Sequence, residues 1–190
     1  MSSPRERLLE TAALLFYKQG YLATGINQLI EEAGIAKASF YQHFPTKESL
    51  GAAYLEASHR RWNGLLEAYL DHLHDSREKI LGLFDFLKTW KESAGYRGCS
   101  FLNMVAETPD LDHPLHAAAL LHYDVFRARV RGLVEEFSGD YRPEANEEEK
   151  AEMTEGLVLL FQGATVSSQT YAATGPIEHA RKTAARLLAC

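Results

Sequence analysis

Between Lys37 and His43 the chain places Lys37, Ser39, Tyr41, Gln42 and His43 in a single short stretch. All five side chains carry hydrogen-bond donors, and such a surface reaches phosphate oxygens and base edges. Lys37 suits guanine and Gln42 suits adenine. Lys37, Ala38, Ser39 and Gln42 are positioned to face a DNA groove, while Phe40 and Phe44 read as packing residues. Lys47 follows in the predicted first turn of the next helix, where a cation opposes the helix dipole and a phosphate partner would account for it.

Other chemistries find less support. A carboxylate-bridged di-iron bundle needs two Glu-x-x-His motifs on a common core, and only Glu56-Ala-Ser-His59 fits, beside the donor-rich stretch. His72 and His74 diverge on a helix, and His113, His116 and His122 lack ligand-grade spacing, so no metal is expected. No glycine-rich phosphate loop and no nucleophile elbow occurs, so the chain reads as a non-enzyme without a cofactor. Cys99, in a Gly-x-x-Gly-Cys loop at a predicted helix start, keeps an alternative open. In it a helical ligand-binding protein, or a thiol sensor of oxidants or electrophiles, has a DNA role that is secondary or absent.

The elements that position these residues are helices. Ile26, Leu29, Ile30 and Ala33 recur at i, i+3, i+4 and i+7, one apolar face of a short helix. Gly34 supplies a residue free to take φ > 0 and opens a tight turn. Lys37 to His43 is too short to be stable alone. Phe44 anchors it, Pro45 breaks it and Thr46 caps the next helix. This is the layout of a DNA-binding helix-turn-helix. Ahead of it, Ser3-Pro4-Arg5-Glu6 combines a capping box with proline at the first helical position, Leu8, Ala12, Leu15 and Phe16 form a buried face, and Gly20 is the stop.

Behind it, residues 47 to about 73 read as one long helix connecting the reading head to everything downstream. Ser76 is the expected cap of a fifth helix, and residues 99–107 form a short sixth. A seventh runs from His113-Pro114 to Phe137 and stops at Ser138-Gly139, followed by a polar linker over 140–145. Asn146-Glu-Glu-Glu149 opens an eighth helix to about Ala173, and Thr174-Gly175-Pro176 starts a last one to about Leu188. The expected fold is all-α, with about nine helices. A three-helix DNA-binding domain over residues 1–46 precedes a helical ligand-binding and dimerisation domain over 47–190.

A hydrophobic content of 46% with 24% charged residues fits a globule rather than a disordered chain. Through Trp62 there are seven Lys/Arg and six Asp/Glu, and after it 13 and 20. An acidic bulk argues against non-specific coating of polyanions, so DNA affinity must come from a few placed groups. No signal peptide or membrane-length apolar run is visible, and two cysteines imply no disulfide framework. A cytoplasmic protein without membrane attachment is therefore expected.

Gly156 and Gly163 lie seven residues apart on nearly one helix face, with Ala164 and Ser167 beside them. Each interior glycine costs up to ~1 kcal/mol relative to alanine, so close helix approach should offset it. Ala180, Ala184, Leu187 and Leu188 continue the pattern on the last helix. On these residues alone, a second chain and the monomer's own core are both open as the neighbour.

Over roughly its first third the chain resembles the TetR-type (TetR/AcrR) bacterial transcriptional regulators. The resemblance rests on Gly20, Thr24, Ala33-Gly34, the run Lys37-Ala-Ser-Phe-Tyr-Gln-His-Phe44, Lys47-Glu48 and Leu50. Gly25 and Ala36 depart from it, standing where Ser or Thr is usual, so both short helices lose a side-chain N-cap. The resemblance implies phosphate contacts from Thr24, Tyr41, His43 and Lys47, double-stranded operator DNA as partner, and a homodimer through the last two helices. It also implies an effector cavity enclosed by helices four to eight. The aromatic and apolar candidates are Phe84, Trp90, Phe101, Met104, Tyr123 and Phe161, and the polar ones Asn103, Gln162 and Thr165. The expected function is a DNA-binding regulator, a repressor released from its operator by a small, largely apolar ligand.

Overall fold

The computed structural model describes residues 2–93 and 97–189. Among them are nine helices and no strand: α1 (Pro4–Gln19), α2 (Ile26–Glu32), α3 (Lys37–His43), α4 (Lys47–Leu70), α5 (Ser76–Glu92), α6 (Ser100–Glu107), α7 (Pro114–Tyr141), α8 (Glu147–Thr170) and α9 (Gly175–Leu187). None of these helices is long and apolar enough to cross a membrane.

The chain folds into two compact units, neither of them a single stretch. The first comprises Met1–Trp62 with Cys99–His122, and the second Asn63–Gly98 with Tyr123–Cys190. The chain crosses between these units within α4 and α7 and at the start of α6. Residues 47–62, all of α6 and the start of α7 belong with the helix-turn-helix, because their apolar side chains complete its core. Leu50, Tyr54, Leu55, Phe101, Met104 and Leu115 are all buried.

The helix ends follow local chemistry. Ser3 and Glu6 cap α1 reciprocally, each side chain accepting the other's backbone N–H. Asn146 and Glu149 do the same for α8. Thr46 caps α4 by accepting from the Ser49 N–H at 3.0 Å, while the Ser49 hydroxyl oxygen accepts from the Thr46 N–H at 3.2 Å. Neither Gly25 nor Ala36 offers a capping side chain to α2 or α3. Gly34, at φ 61°, makes the left-handed turn between them.

Four expectations are corrected within the second unit. Asp75, not Ser76, caps α5, accepting from the Glu78 N–H at 2.9 Å. Ser76 is buried and donates to Asp140 at 2.6 Å. The seventh helix continues through Ser138-Gly139 to Tyr141. Its last turn is pinned to the start of α5 by that Ser76–Asp140 bond and by the Tyr141 hydroxyl donating to Asp75, and this tertiary anchoring outweighs the glycine's weak propensity. The fourth and eighth helices end three residues earlier than expected, at Leu70 and Thr170.

Candidate nucleic-acid interface

The first three helices pack pairwise around Leu8, Ala12, Leu15, Phe16, Leu29, Ala33, Phe40 and Phe44, all buried. Phe40 is fully enclosed and meets the Tyr41 ring edge-on at 5.2 Å, and the Arg5 guanidinium lies over the Phe44 ring. With its inner face committed in this way, α3 turns Lys37, Ala38, Tyr41 and Gln42 to solvent. Ser39 and His43 are half-exposed at the margin of the same surface. Six of the eight residues read from the sequence as DNA-facing thus share one exposed helix surface, with donors for phosphates and base edges.

Lys47 is half-buried beside this surface. Its ammonium sits 4.2 Å from the centroid of the Tyr21 ring, a cation–π contact. Burial lowers its pKa, and the Glu107 carboxylate works in the opposite direction. The Tyr21 hydroxyl is pushed up to about 12, first by burial and then by Glu48.

Thr24 does not belong to the surface. It is fully buried, its hydroxyl donates to the Gly20 carbonyl at 2.7 Å and accepts from the Gln19 amide at 3.2 Å. That side chain is spent on closing the turn between α1 and α2, so it cannot reach a phosphate.

The nine residues expected around an effector divide between the units. Phe101 and Met104 are buried and Asn103 half-buried in the first. The cleft that Asn103 and Met104 do line there holds about 10 Å³, room for roughly one water. In the second unit Phe84 and Phe161 are core residues, with Phe161 packed 4.5 Å from Phe126 and 5.9 Å from Phe84. Trp90 stacks on Phe86 at 6.2 Å, and Tyr123 and Gln162 are half-exposed. Thr165 is buried, and its hydroxyl donates to the Phe161 carbonyl of its own helix. Cys99 is half-buried at the start of α6.

Two features escaped the sequence reading because they join distant residues. His59 and His122, 63 positions apart, bring their Nδ1 atoms within 3.1 Å, so one nitrogen carries the proton that the other accepts. His122 also stacks on Phe101 at 3.7 Å and 6°, and meets Trp62 edge-on at 5.0 Å. Burial, helped by His59, pushes His122 down to about 3, and burial also lowers His59. Since an unfolded histidine titrates near 6.5, the folded state binds fewer protons below that pH. Stability is therefore expected to be complete above about pH 6.5 and to fall as pH drops from there toward about 3. Urea midpoints of the protein and of His122→Phe, measured from pH 7 to 4, check this. A pH slope unchanged by the substitution would show that other groups set the acid sensitivity.

The second feature is Glu107, the last residue of α6, whose carboxylate accepts from the Leu22 N–H at 2.7 Å. An acid at a helix C-terminus opposes the dipole, and this was the one local sign that the carboxylate had a partner elsewhere.

In the second unit, α8 and α9 border a groove of about 660 Å³. Its lining includes Gly156, Gly163, Ala164, Ser167, Ala180 and Leu187 from the residues expected to meet a second chain. A Cβ added to Gly163 would meet nothing within 4 Å, and one on Gly156 only the Leu187 side chain at 4.0 Å. Among the described residues, the close helix approach that would offset these glycines is thus not made. Ala184 and Leu188 are corrected. At 0% and 1% exposure they fill the unit's own core and have no surface left for a partner.

Comparison with known proteins gives a consistent result. Residues 8–54 match the family described as bacterial regulatory proteins, tetR family, and residues 76–184 match the tetracyclin repressor-like C-terminal domain. The HTH-type transcriptional regulator YxaF of Bacillus subtilis is 30% identical over 75% of this chain and 75% of its own length. The HTH-type transcriptional repressor NemR of Escherichia coli is 31% identical over 60% of this chain and 58% of its own. Among solved structures, a TetR-family transcriptional regulator from Streptomyces coelicolor superposes with a TM-score of 0.87 at 29% identity, covering 98% of this chain and 89% of that one.

Proposed function

This chain belongs to the TetR family of DNA-binding transcriptional regulators, and on that premise we propose that it is a homodimeric repressor which a small, largely apolar effector releases from operator DNA. The observation that carries the reading is the exposed face of α3, with Lys37, Ala38, Tyr41 and Gln42 turned outward from a buried Phe40. Repression rather than activation takes support from the NemR repressor among the relatives. Dimerisation takes support from the open groove on α8 and α9. Two-fold symmetry suits the need of a helix-turn-helix to read half-sites ~34–36 Å apart.

In this reading Tyr41, His43 and Lys47 take phosphates, while Lys37, Ala38, Ser39 and Gln42 face the groove. Effector and operator compete through one conformational equilibrium, with α4 contributing residues to both units. The coupling is reciprocal: an effector that weakens operator binding tenfold itself binds ~1.4 kcal/mol less well to the operator complex.

Salt titrations of operator affinity test the assignment. Lys47→Ala is expected to weaken all operator variants alike and to lower the slope of log affinity against log salt by about one. Gln42→Ala is expected to relax base preference at a single position, with the slope unchanged. If both substitutions instead act only by lowering fold stability, the two residues are structural. Ligands found by thermal shift should also change operator affinity; binders that never do so would leave a DNA-binding protein without this switch.

A further inference from the structure

Glu107 stands outside the helix-turn-helix in sequence yet touches the turn on which that motif hangs. Its Oε2 accepts from the Leu22 N–H at 2.7 Å, across 85 positions. Its two carboxylate oxygens lie 2.7 and 2.9 Å from where a Cβ on residue 20 would stand. Gly20 has φ 103°, so the turn needs glycine there for its backbone, and the carboxylate occupies the space that glycine leaves.

From this turn a run of hydrogen bonds enters α2. The Gly20 carbonyl accepts from the Thr24 hydroxyl, which accepts from the Gln19 amide. That amide also donates to Gln28 at 2.9 Å, and Gln28 donates to Glu32 at 2.9 Å. The turn is held from another side through Tyr21, whose ring meets Phe16 edge-on at 5.2 Å and carries the Lys47 ammonium over its face. A Cβ on Gly51 would lie 3.1 Å from that ring, so α4 and the turn are in close contact. Neither α2 nor α3 has a side-chain N-cap, so the two short helices depend on such outside supports.

We infer that Glu107 is a positioning residue for DNA binding: by holding the Leu22 N–H it fixes the turn over residues 20–24 and so the orientation of α2 and α3. This rests on the reading of the chain as a sequence-specific DNA binder. The acid meets no base or phosphate itself; it sets the geometry in which α3 does.

Three substitutions separate reach from charge. Glu107→Gln keeps the length and an acceptor oxygen, Glu107→Asp keeps the charge but falls short, and Glu107→Ala keeps neither. The probe is the tightest duplex that the unsubstituted protein selects from a randomised library. Protein concentrations are corrected for the folded fraction by circular dichroism, and Leu22 amide exchange is followed by NMR. Alanine and aspartate are expected to weaken the duplex about tenfold with an unchanged salt slope, because no phosphate contact is lost, and to speed Leu22 exchange. Glutamine should stay within about threefold of the unsubstituted protein on both measures. If alanine leaves affinity intact, or if aspartate rescues where glutamine does not, the inference is overturned while DNA binding stands. If the unsubstituted protein selects no duplex, the DNA reading itself fails, and the inference with it.

Discussion

Replacing Phe40 by alanine is expected to remove operator binding and to cost the protein about 3–5 kcal/mol of stability. Phe40 is fully buried, and the seven-residue α3 that carries it has no side-chain N-cap. A helix of that length has almost no stability of its own, so it persists through its packing against the rest of the head. Deleting the ring leaves a cavity beneath the residues proposed to read DNA and frees the Tyr41 ring from its edge-on neighbour. Chemical denaturation followed by circular dichroism gives the energy, and a mobility shift gives the binding. A loss below ~1 kcal/mol with operator affinity retained would mean that another residue anchors α3.

The second large effect concerns assembly. Gly163→Leu places a side chain at a position where an added Cβ meets nothing within 4 Å among the described residues. Within one protomer the change should therefore be neutral, or stabilising by up to ~1 kcal/mol through helix propensity. Against a second copy seated in the groove it should overpack the contact by ~1–3 kcal/mol. Sedimentation is accordingly expected to show a dimer for the unsubstituted protein and a shift toward monomer for the variant, whose monomer melts no earlier. A dimer of unchanged strength in the variant would place the interface elsewhere, and an unsubstituted protein that sediments as a monomer would end the idea.

Much of the architecture was legible from local chemistry. The Ser3–Glu6 and Asn146–Glu149 boxes, the turn at Gly34, the Thr46 cap and the apolar period of α2 are fixed by residues a few positions apart, and sequence spacing reports such interactions directly. The outward face of α3 was legible for the same reason, since a short helix with Phe40 and Phe44 committed inward has one face left.

The expectations that failed depended on distant partners. The end of α7 was read from Ser138-Gly139, but the bonds to Asp75 and Ser76 decide it. Thr24 carries the same hydroxyl whether it faces a phosphate or the Gly20 carbonyl, and only the fold distinguishes the two. Ala184 and Leu188 share helical spacing with Ala180 and Leu187, yet an amphipathic pattern does not say whether apolar area is covered by the same chain or another. The His59–His122 pair and the partner of Glu107 were hidden because no local rule links residues 63 or 85 positions apart.

The division of the chain also bears on when the reading head becomes available during synthesis. Its unit takes residues from Met1–Trp62 and again from Cys99–His122, so the N-terminal third emerges from the ribosome without Phe101, Met104, Leu115 or Glu107 to pack against. At ~5–20 residues per second, the ~60 residues between Trp62 and His122 take about 3–12 s to make. Through that interval the nascent head holds unmatched apolar surface, a demand on chaperones that a contiguous domain would not impose. Cutting the gene after residue 62 would make that interval permanent.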